Sequence, residues 1–402
     1  MALAAVAAGF GQFGAVAALA QVARSFGHVT SGATIADRAG LSGSELGLGL
    51  AILRLASLGG LPLAGIADRL GRRRTIIWTA AAGLALTVVA AASPSYWWFV
   101  ALFALGRPFL SATTSVAQVS AAEQTSSTDR ARAVALVAAG YAVGAGTLAM
   151  VNGAAGSALG FRGLFMLSLI PLSLVWFMAR KLEEPGRFVV ARSTGIPSLP
   201  VIGAVEKRFR GRLAVVLALS LAVGVVTGPA NSFVFVYAEN VRHLAGLATS
   251  AMVAGAGVVG LGGLLAGRFA ADRIGRRPTA AVGMVGLALG AALAYSGTVT
   301  GLVAGYEIGV FAGATLAPAA GALVNELFPT SVRASVVGWQ VAAGVLGATG
   351  GLVAFGALAD VGNHFAFAGE VTFLPVVLLS VLFVLLPETR GKEPEELWAA
   401  TA

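Results

Sequence analysis

Apolar positions along this chain do not alternate with polar ones; they run on in blocks of about twenty. A bilayer core of ~30 Å needs roughly 20 apolar residues per helix. Blocks of that length fall at 2–23, 45–67, 75–92, 97–121, 133–156, 162–180, 213–237, 248–270, 279–298, 300–324, 335–359 and 371–386. Twelve spans in 402 residues leave short connections, with one exception. Residues 181–212 hold Pro185, Pro197 and Pro200 and a dense basic end, at the midpoint of the chain. The pattern predicts an all-α integral membrane protein: an N-terminal six-helix bundle over 1–180, a cytoplasmic linker over 181–212, and a C-terminal six-helix bundle with a short tail over 213–402. The first span begins at Met1 with no basic region before it and is too long for a signal peptide, so it reads as a retained helix.

Composition agrees. Apolar residues make up 57% of the chain before its 54 glycines are counted, and charged residues only 11%, against roughly 25% in a soluble domain. So few charges cannot cover a water-facing surface of this size. The absence of cysteine excludes a disulfide scaffold, and His28, His243 and His364 are too scattered to form a metal site. The net charge of +9 does not point to nucleic acid, because the basic residues stand in short clusters between apolar runs. Their distribution sets the orientation. With both termini in the cytoplasm, inner segments carry 21 Lys/Arg, outer segments carry Arg24, Arg38, Arg162 and Arg242, and Arg54 and Arg107 lie within spans, which accounts for all 27. Positive charge kept inside in this way supports an even number of crossings.

The chain also repeats itself. Asp68-Arg69-Leu70-Gly71-Arg72-Arg73-Arg74 stands between spans two and three, and Asp272-Arg273-Ile274-Gly275-Arg276-Arg277-Pro278 between spans eight and nine, 204 residues later. Glu123 precedes Arg130 by seven residues after span four, and Glu326 precedes Arg333 by seven after span ten, an offset of 203. Two motifs at nearly one offset, in equivalent loops, indicate a duplicated six-helix unit. Gly permits the tight turn in each first motif. A carboxylate among guanidiniums can accept hydrogen bonds from a helix N-terminus or a partner Arg. That is the chemistry of a latch. Topology anchoring alone would explain the arginines but not Asp68 and Asp272.

On these residues the chain resembles the major facilitator superfamily. The resemblance rests on Gly65-Ile66-Ala67-Asp68-Arg69-Leu70-Gly71-Arg72-Arg73-Arg74 and its second copy, which departs with Phe269 in place of Gly65. Three further segments are similar to the branch of sugar porters, metabolite–proton symporters and organic-ion transporters. They are Glu326-Leu327-Phe328-Pro329-Thr330-Ser331-Val332-Arg333, Pro387-Glu388-Thr389-Arg390-Gly391-Lys392, and a degenerate Glu183-Glu184-Pro185-Gly186-Arg187-Phe188. The resemblance implies two pseudo-symmetric bundles that alternate access to a site near the bilayer midplane. It also implies a charge network at the inner helix ends, made here of Asp68, Arg69, Arg72, Arg73, Glu123, Arg130, Asp272, Arg273, Arg276, Glu326, Arg333, Glu388 and Arg390.

Ionisable residues inside a span are functional candidates by default. Arg54 lies in span two, Arg107 in span four and Glu307 in span ten. Gly106-Arg107-Pro108 resembles the Gly-Arg that opens the fourth helix of sugar porters, where the Arg partners a carboxylate on the first helix. This chain departs there: span one offers Gln12 and Phe13 and no acid. Arg107 therefore either pairs with Glu307 or meets an anionic substrate. Snorkelling is strained for Arg54, about nine residues from its span end, roughly 13 Å at 1.5 Å per residue. Polar candidates for the cavity wall are Gln12, Gln118, Tyr141, Asn152, Asn231, Tyr237, Tyr306, Trp339 and Gln340. Gly255-Ala256-Gly257-Val258-Val259-Gly260 fits a dinucleotide pattern by letter, but it lies inside a span with no strand before it and reads as close-packing glycine, like Gly140 and Gly144. No Walker motif is present in the sequence, and no cofactor or nucleotide is expected.

These readings converge on a secondary transporter, not an enzyme. The expected cargo is a small organic solute, sugar-like or, by charge, an organic anion, because two intramembrane Arg face one Glu. The expected coupling is to protons, with Glu307 as the protonatable group. The expected setting is a monomer in the lipid of the plasma membrane. Drug efflux by proton antiport and a transporter-like sensor are the alternatives. Span five carries Gly140, Gly144 and Gly146 but lacks the Gly-Pro pair of the antiporter branch. A membrane enzyme would need an acidic pair in a large outer loop, and 25–44 holds only Asp37 of the required type.

Overall fold

The computed structural model describes residues 1–30, 32, 34–125, 130–181, 206–362, 364–392 and 394–399, with the side chains of residues 68, 69, 122, 130, 131, 181, 330, 331, 334, 394, 395 and 399 outside that set. The described residues are helical and contain no strand. In chain order the helices are α1 (Ala2–Ala17), α2 (Leu19–Phe26), α3 (Ile35–Ala39), α4 (Gly43–Ala56), α5 (Gly60–Leu70), α6 (Arg72–Ala90), α7 (Tyr96–Gln124) and α8 (Arg130–Met166). They continue with α9 (Leu169–Lys181), α10 (Arg210–Ser232), α11 (Gly246–Arg273), α12 (Arg276–Ala294), α13 (Val299–Leu327), α14 (Thr330–Gly362), α15 (Phe365–Leu379) and the short α16 (Pro394–Ala399).

Ten segments among the described residues are long and apolar enough to cross a bilayer, and the pair α1–α2, bent by 47°, makes eleven. One of the ten runs 49 residues, from Arg132 to Arg180. That is about 74 Å at 1.5 Å per residue, more than two bilayer cores. Its backbone breaks at Gly160, with φ of 61°, a left-handed conformation that glycine adopts without penalty. Divided there, it gives two crossings and restores the twelve expected. Large apolar side chains such as Val282, Val361 and Leu378 point outward, as a lipid-facing surface requires. Trp176 is exposed and carries the Arg180 guanidinium 3.6 Å from its ring centroid; Phe269 holds Arg273 in the same way at 4.0 Å. Phe269 is the residue that departs from the first copy of the repeat, and its ring gives the neighbouring cation a cation–π partner.

The chain forms two compact units. The first comprises Met1–His28, Ile52–Leu199 and Ala245–Ala251; the second comprises Val29–Ala51, Pro200–Leu244 and Met252–Ala402. Against the simple halves expected at 1–180 and 213–402, two short segments change sides, and local contacts explain both. Asp360 on α14 accepts hydrogen bonds from the N–H groups of Gly43 and Ser44 at 2.7 and 2.8 Å and from the Ser44 hydroxyl, capping the N-terminus of α4. Asn240 donates to the Ala39 carbonyl at 2.9 Å. In the first unit, the Ser250 hydroxyl donates to Ala149 O at 2.6 Å.

Each unit is built on the same glycine contact. In the first, a Cβ on Gly9 would strike the carbonyl oxygen of Tyr141, and one on Gly144 that of Val6. In the second, a Cβ on Gly224 would strike the carbonyl oxygen of Gly344, and one on Gly347 that of Leu221. The equivalences Gly9/Gly224 and Val6/Leu221 share one offset, and Tyr141/Gly344 and Gly144/Gly347 share another. The duplication inferred from the loops is therefore repeated in the packing of α1 on α8 and of α10 on α14. Glycine there removes the Cβ so that backbones approach closely.

Candidate functional site

In the first unit the chemistry centres on two guanidiniums. The helix carrying Arg54 breaks into a 3-10 turn at Ser57–Gly59, where Gly59 and Gly60 face Pro108 of α7. That proline sits inside α7 immediately after Arg107 and cannot donate to the helix ladder. Arg107 donates from a terminal nitrogen to the Gln12 carbonyl at 2.8 Å. Gln12, itself buried, donates to the Thr114 hydroxyl at 3.4 Å. Arg54 and Arg107 are electrostatic neighbours, and Tyr141 stands near both. The Nε atoms of both arginines are buried without a hydrogen-bond partner among the described residues. Neither arginine takes part in an ion pair there; the described pairs are Arg72–Glu123, Arg208–Glu206 and Arg276–Glu326. Two cations with no anion form a site complementary to a carboxylate. Glu307, the other partner considered for Arg107, belongs to the second unit.

In the second unit a cavity of about 310 Å³ opens between α10, α12 and α13. Asn231, Tyr306 and Thr227 line it. The Tyr306 hydroxyl donates to Asn231 Oδ1 at 3.3 Å, and Asn231 Nδ2 donates to the Thr227 carbonyl at 2.9 Å. Beneath this wall lies Tyr295, which is not among the wall residues expected from the sequence. It is 1% exposed, and its hydroxyl donates to Ala230 O at 3.0 Å and Pro229 O at 3.4 Å. A tyrosine within an apolar span needs a partner for its hydroxyl, and that signal was available in the sequence. Glu307 stands one residue from Tyr306 but faces elsewhere: a Cβ on Gly255 of α11 would lie 3.3 Å from its Oε1. Its Oε2 is buried with no partner among the described residues.

Other expected wall residues are placed differently. Tyr237 is buried in an aromatic cluster, with ring centroids 4.9 Å from Tyr295 and 5.5 Å from Phe365. Its hydroxyl accepts the Gly297 N–H at 3.1 Å, which anchors a loop. Asn152 is buried and accepts from Gln21 Nε2 at 2.7 Å. Gln118 and Gln340 are half-buried, and Trp339 is exposed.

The loop motifs assemble a charge network inside each unit. In the first, Arg72 binds Glu123 through two bonds of 2.9 and 3.1 Å, and Arg73 donates to Ala179 O. In the second, Arg276 pairs with Glu326 at 3.0 Å, and Arg277 donates to Leu386 O at 3.3 Å. Gly71 and Gly275 open these turns with φ of 100° and 133°, where a side chain would be strained. The Glu388 carboxylate accepts N–H groups of Arg276, Arg277, Thr389 and Arg390 at 2.9 to 3.1 Å. Burial pushes its carboxyl up, but these four backbone donors outweigh that and hold it below its ordinary value. Arg333 donates to Phe328 O at 3.4 Å. Asp272 is exposed, and Arg273 engages Phe269. The side chains of Asp68, Arg69 and Arg130, and the whole of Glu183-Glu184-Pro185-Gly186-Arg187-Phe188, lie outside the described residues.

Twelve crossings among the described residues, in two repeated units with paired charge clusters, are the architecture of a polytopic solute carrier. The Major Facilitator Superfamily profile matches residues 1–271 and 260–401, so the chain belongs to that family of transporters. A protein of Cupriavidus pinatubonensis named "Probable 4-methylmuconolactone transporter" is 28% identical over 390 residues, covering 90% of this chain and 86% of its own. Among solved structures, the inward-open xylose transporter XylE from E. coli superposes with a TM-score of 0.76 at 21% identity, over 99% of this chain and 98% of that one. A mutant of the nucleoside transporter NupG superposes with a TM-score of 0.78 at 15% identity, over 96% and 98%. The chain is a multi-pass membrane transporter of metabolite type.

Proposed function

We propose that this chain is a secondary active transporter that carries a small organic anion by alternating access, coupled to protons. The observation that carries the proposal is the pair Arg54 and Arg107, two half-buried cations inside the first unit with no carboxylate among the described residues to neutralise them. Drawing a cation partly out of water without an opposite charge carries a desolvation penalty. A substrate carboxylate relieves that penalty on binding, which makes affinity specific to anions. Gln12 and Tyr141 complete the polar surroundings of the pair, and Asn231 and Tyr306 supply recognition in the second unit, with Gln118 and Gln340 as further contributors. Glu307 is the protonatable group. The relative named for 4-methylmuconolactone and the neighbour titled D-xylose-proton symporter support metabolite transport and proton coupling respectively. The charge clusters around Glu123, Glu326 and Glu388 gate the inner helix ends; the protein sits in the plasma membrane with both termini in the cytoplasm, an orientation that the positive-inside pattern supports.

Proteoliposomes holding the full chain provide the test. Labelled benzoate uptake should exceed that of labelled xylose, and an inward proton gradient should accelerate it. Xylose uptake with no uptake of any carboxylate would overturn the anion assignment. Flux indifferent to the proton gradient would remove the coupling.

A further inference from the structure

The 310 Å³ cavity of the second unit offers a ligand little hydrogen bonding. Thr227, Asn231 and Tyr306 are its polar side chains, and they are partly consumed by one another. Asn231 Nδ2 already donates to Thr227 O, and Asn231 Oδ1 already accepts from Tyr306. What remains is one amide N–H, spare lone pairs on Asn231 and Tyr306, and the Thr227 hydroxyl. The rest of the wall is apolar, lined by Leu287, Leu316 and small residues that include Gly309 and Gly313. A sugar or sugar acid displays four or five hydroxyls, each able to donate and accept. Most would be stripped of water here and left unpaired, which is unfavourable for every such group. A ring or branched chain with few hydroxyls loses only apolar hydration, which favours binding.

Resting on the reading of this chain as an organic-anion carrier, we propose that its substrates are cyclic or branched organic acids with few hydroxyls, and that polyhydroxylated acids and sugars are rejected at the Asn231–Tyr306 cavity. The decisive comparison is cyclohexanecarboxylate against glucuronate, which share a six-membered ring and one carboxylate and differ in hydroxyl content. Thermal unfolding of the full chain in detergent is measured with each at equal concentration, alongside benzoate and xylose. Cyclohexanecarboxylate and benzoate should raise the midpoint, because a ligand that binds only the folded state stabilises it. Glucuronate should bind at least about tenfold more weakly, the effect of a single unpaired hydroxyl. In Gly313→Ala the added Cβ meets only the flexible end of Leu287 at 3.3 Å, so the variant folds with a narrower cavity. It should weaken cyclohexanecarboxylate several-fold and leave propionate unchanged. Glucuronate binding as well as cyclohexanecarboxylate would overturn the substrate class while leaving the anion reading intact. Failure of both apolar acids to bind would also overturn it. Stabilisation by xylose alone would bring down both proposals.

Discussion

In the proposed transport mechanism the guanidiniums of Arg54 and Arg107 and the carboxylates of Glu307 and Glu388 carry the functional chemistry, residue by residue. Replacing Arg107 with Ala removes a charge-assisted contact worth about 1.5–3 kcal/mol, so initial uptake of an organic acid should fall roughly ten- to a hundredfold. Arg107→Lys should recover part of it, because the charge returns without the guanidinium fork. Glu307→Gln should keep exchange of labelled for unlabelled substrate but lose acceleration by a proton gradient. Both are read in proteoliposome flux assays. Glu388 makes a pH-dependent contribution whose sign follows from its lowered folded pKa. Its stabilisation is fully present above the ordinary value of 4.5 and is lost as pH falls through the lower folded value. The thermal midpoint should therefore decline on acidification below that range, and Glu388→Gln should flatten this part of the profile. Arg107 and Glu307 were legible in the sequence, because any charge within an apolar run stands out. Tyr295 also stands in an apolar run, but its partners, two carbonyls of α10 some 65 residues away in the chain, are not legible there.

At the scale of elements, glycine decides how closely helices pack. Gly144 and Gly347 each face a carbonyl oxygen on the neighbouring helix, whereas Gly146 and Gly350 have nothing within 4 Å of a built Cβ. Gly144→Val and Gly347→Val should each destabilise their unit by about 1–3 kcal/mol through overpacking. Gly146→Ala and Gly350→Ala should be neutral or slightly stabilising, because alanine favours the helix. Thermal unfolding in detergent separates the two pairs. The sequence read Gly140 and Gly144 as packing glycines, and they meet α1 at Ala2 and Val6. It read Gly255 and Gly260 in the same way, but the closest backbone approach on α11 belongs to Gly263 and Gly267, against Phe311 and Thr315. Spacing alone does not say which face of an apolar helix meets a neighbour, because lipid-facing and protein-facing surfaces are equally apolar in a membrane. The bend at Ala18 was likewise hidden inside an uninterrupted apolar run, whereas the break at Gly160 falls in the 157–161 junction between the fifth and sixth expected spans.

For the whole molecule, the sidedness drawn from the basic residues is directly testable because the chain contains no cysteine. Val29 and Arg132 are both exposed. In intact cells an impermeant maleimide should label Val29→Cys and should leave Arg132→Cys unlabelled until the membrane is permeabilised. The opposite result would invert the topology. Span number and internal duplication were determined by sequence alone, because they follow from burying apolar runs in lipid and from repeating a loop motif; loop sidedness is what the sequence proposes, from keeping cations on one side. The tertiary structure decided which polar groups meet: Arg107 with the Gln12 carbonyl, Tyr306 with Asn231, Asp360 with the start of α4. Those choices depend on helix rotation and backbone breaks, to which a hydropathy pattern uniform around the helix is blind.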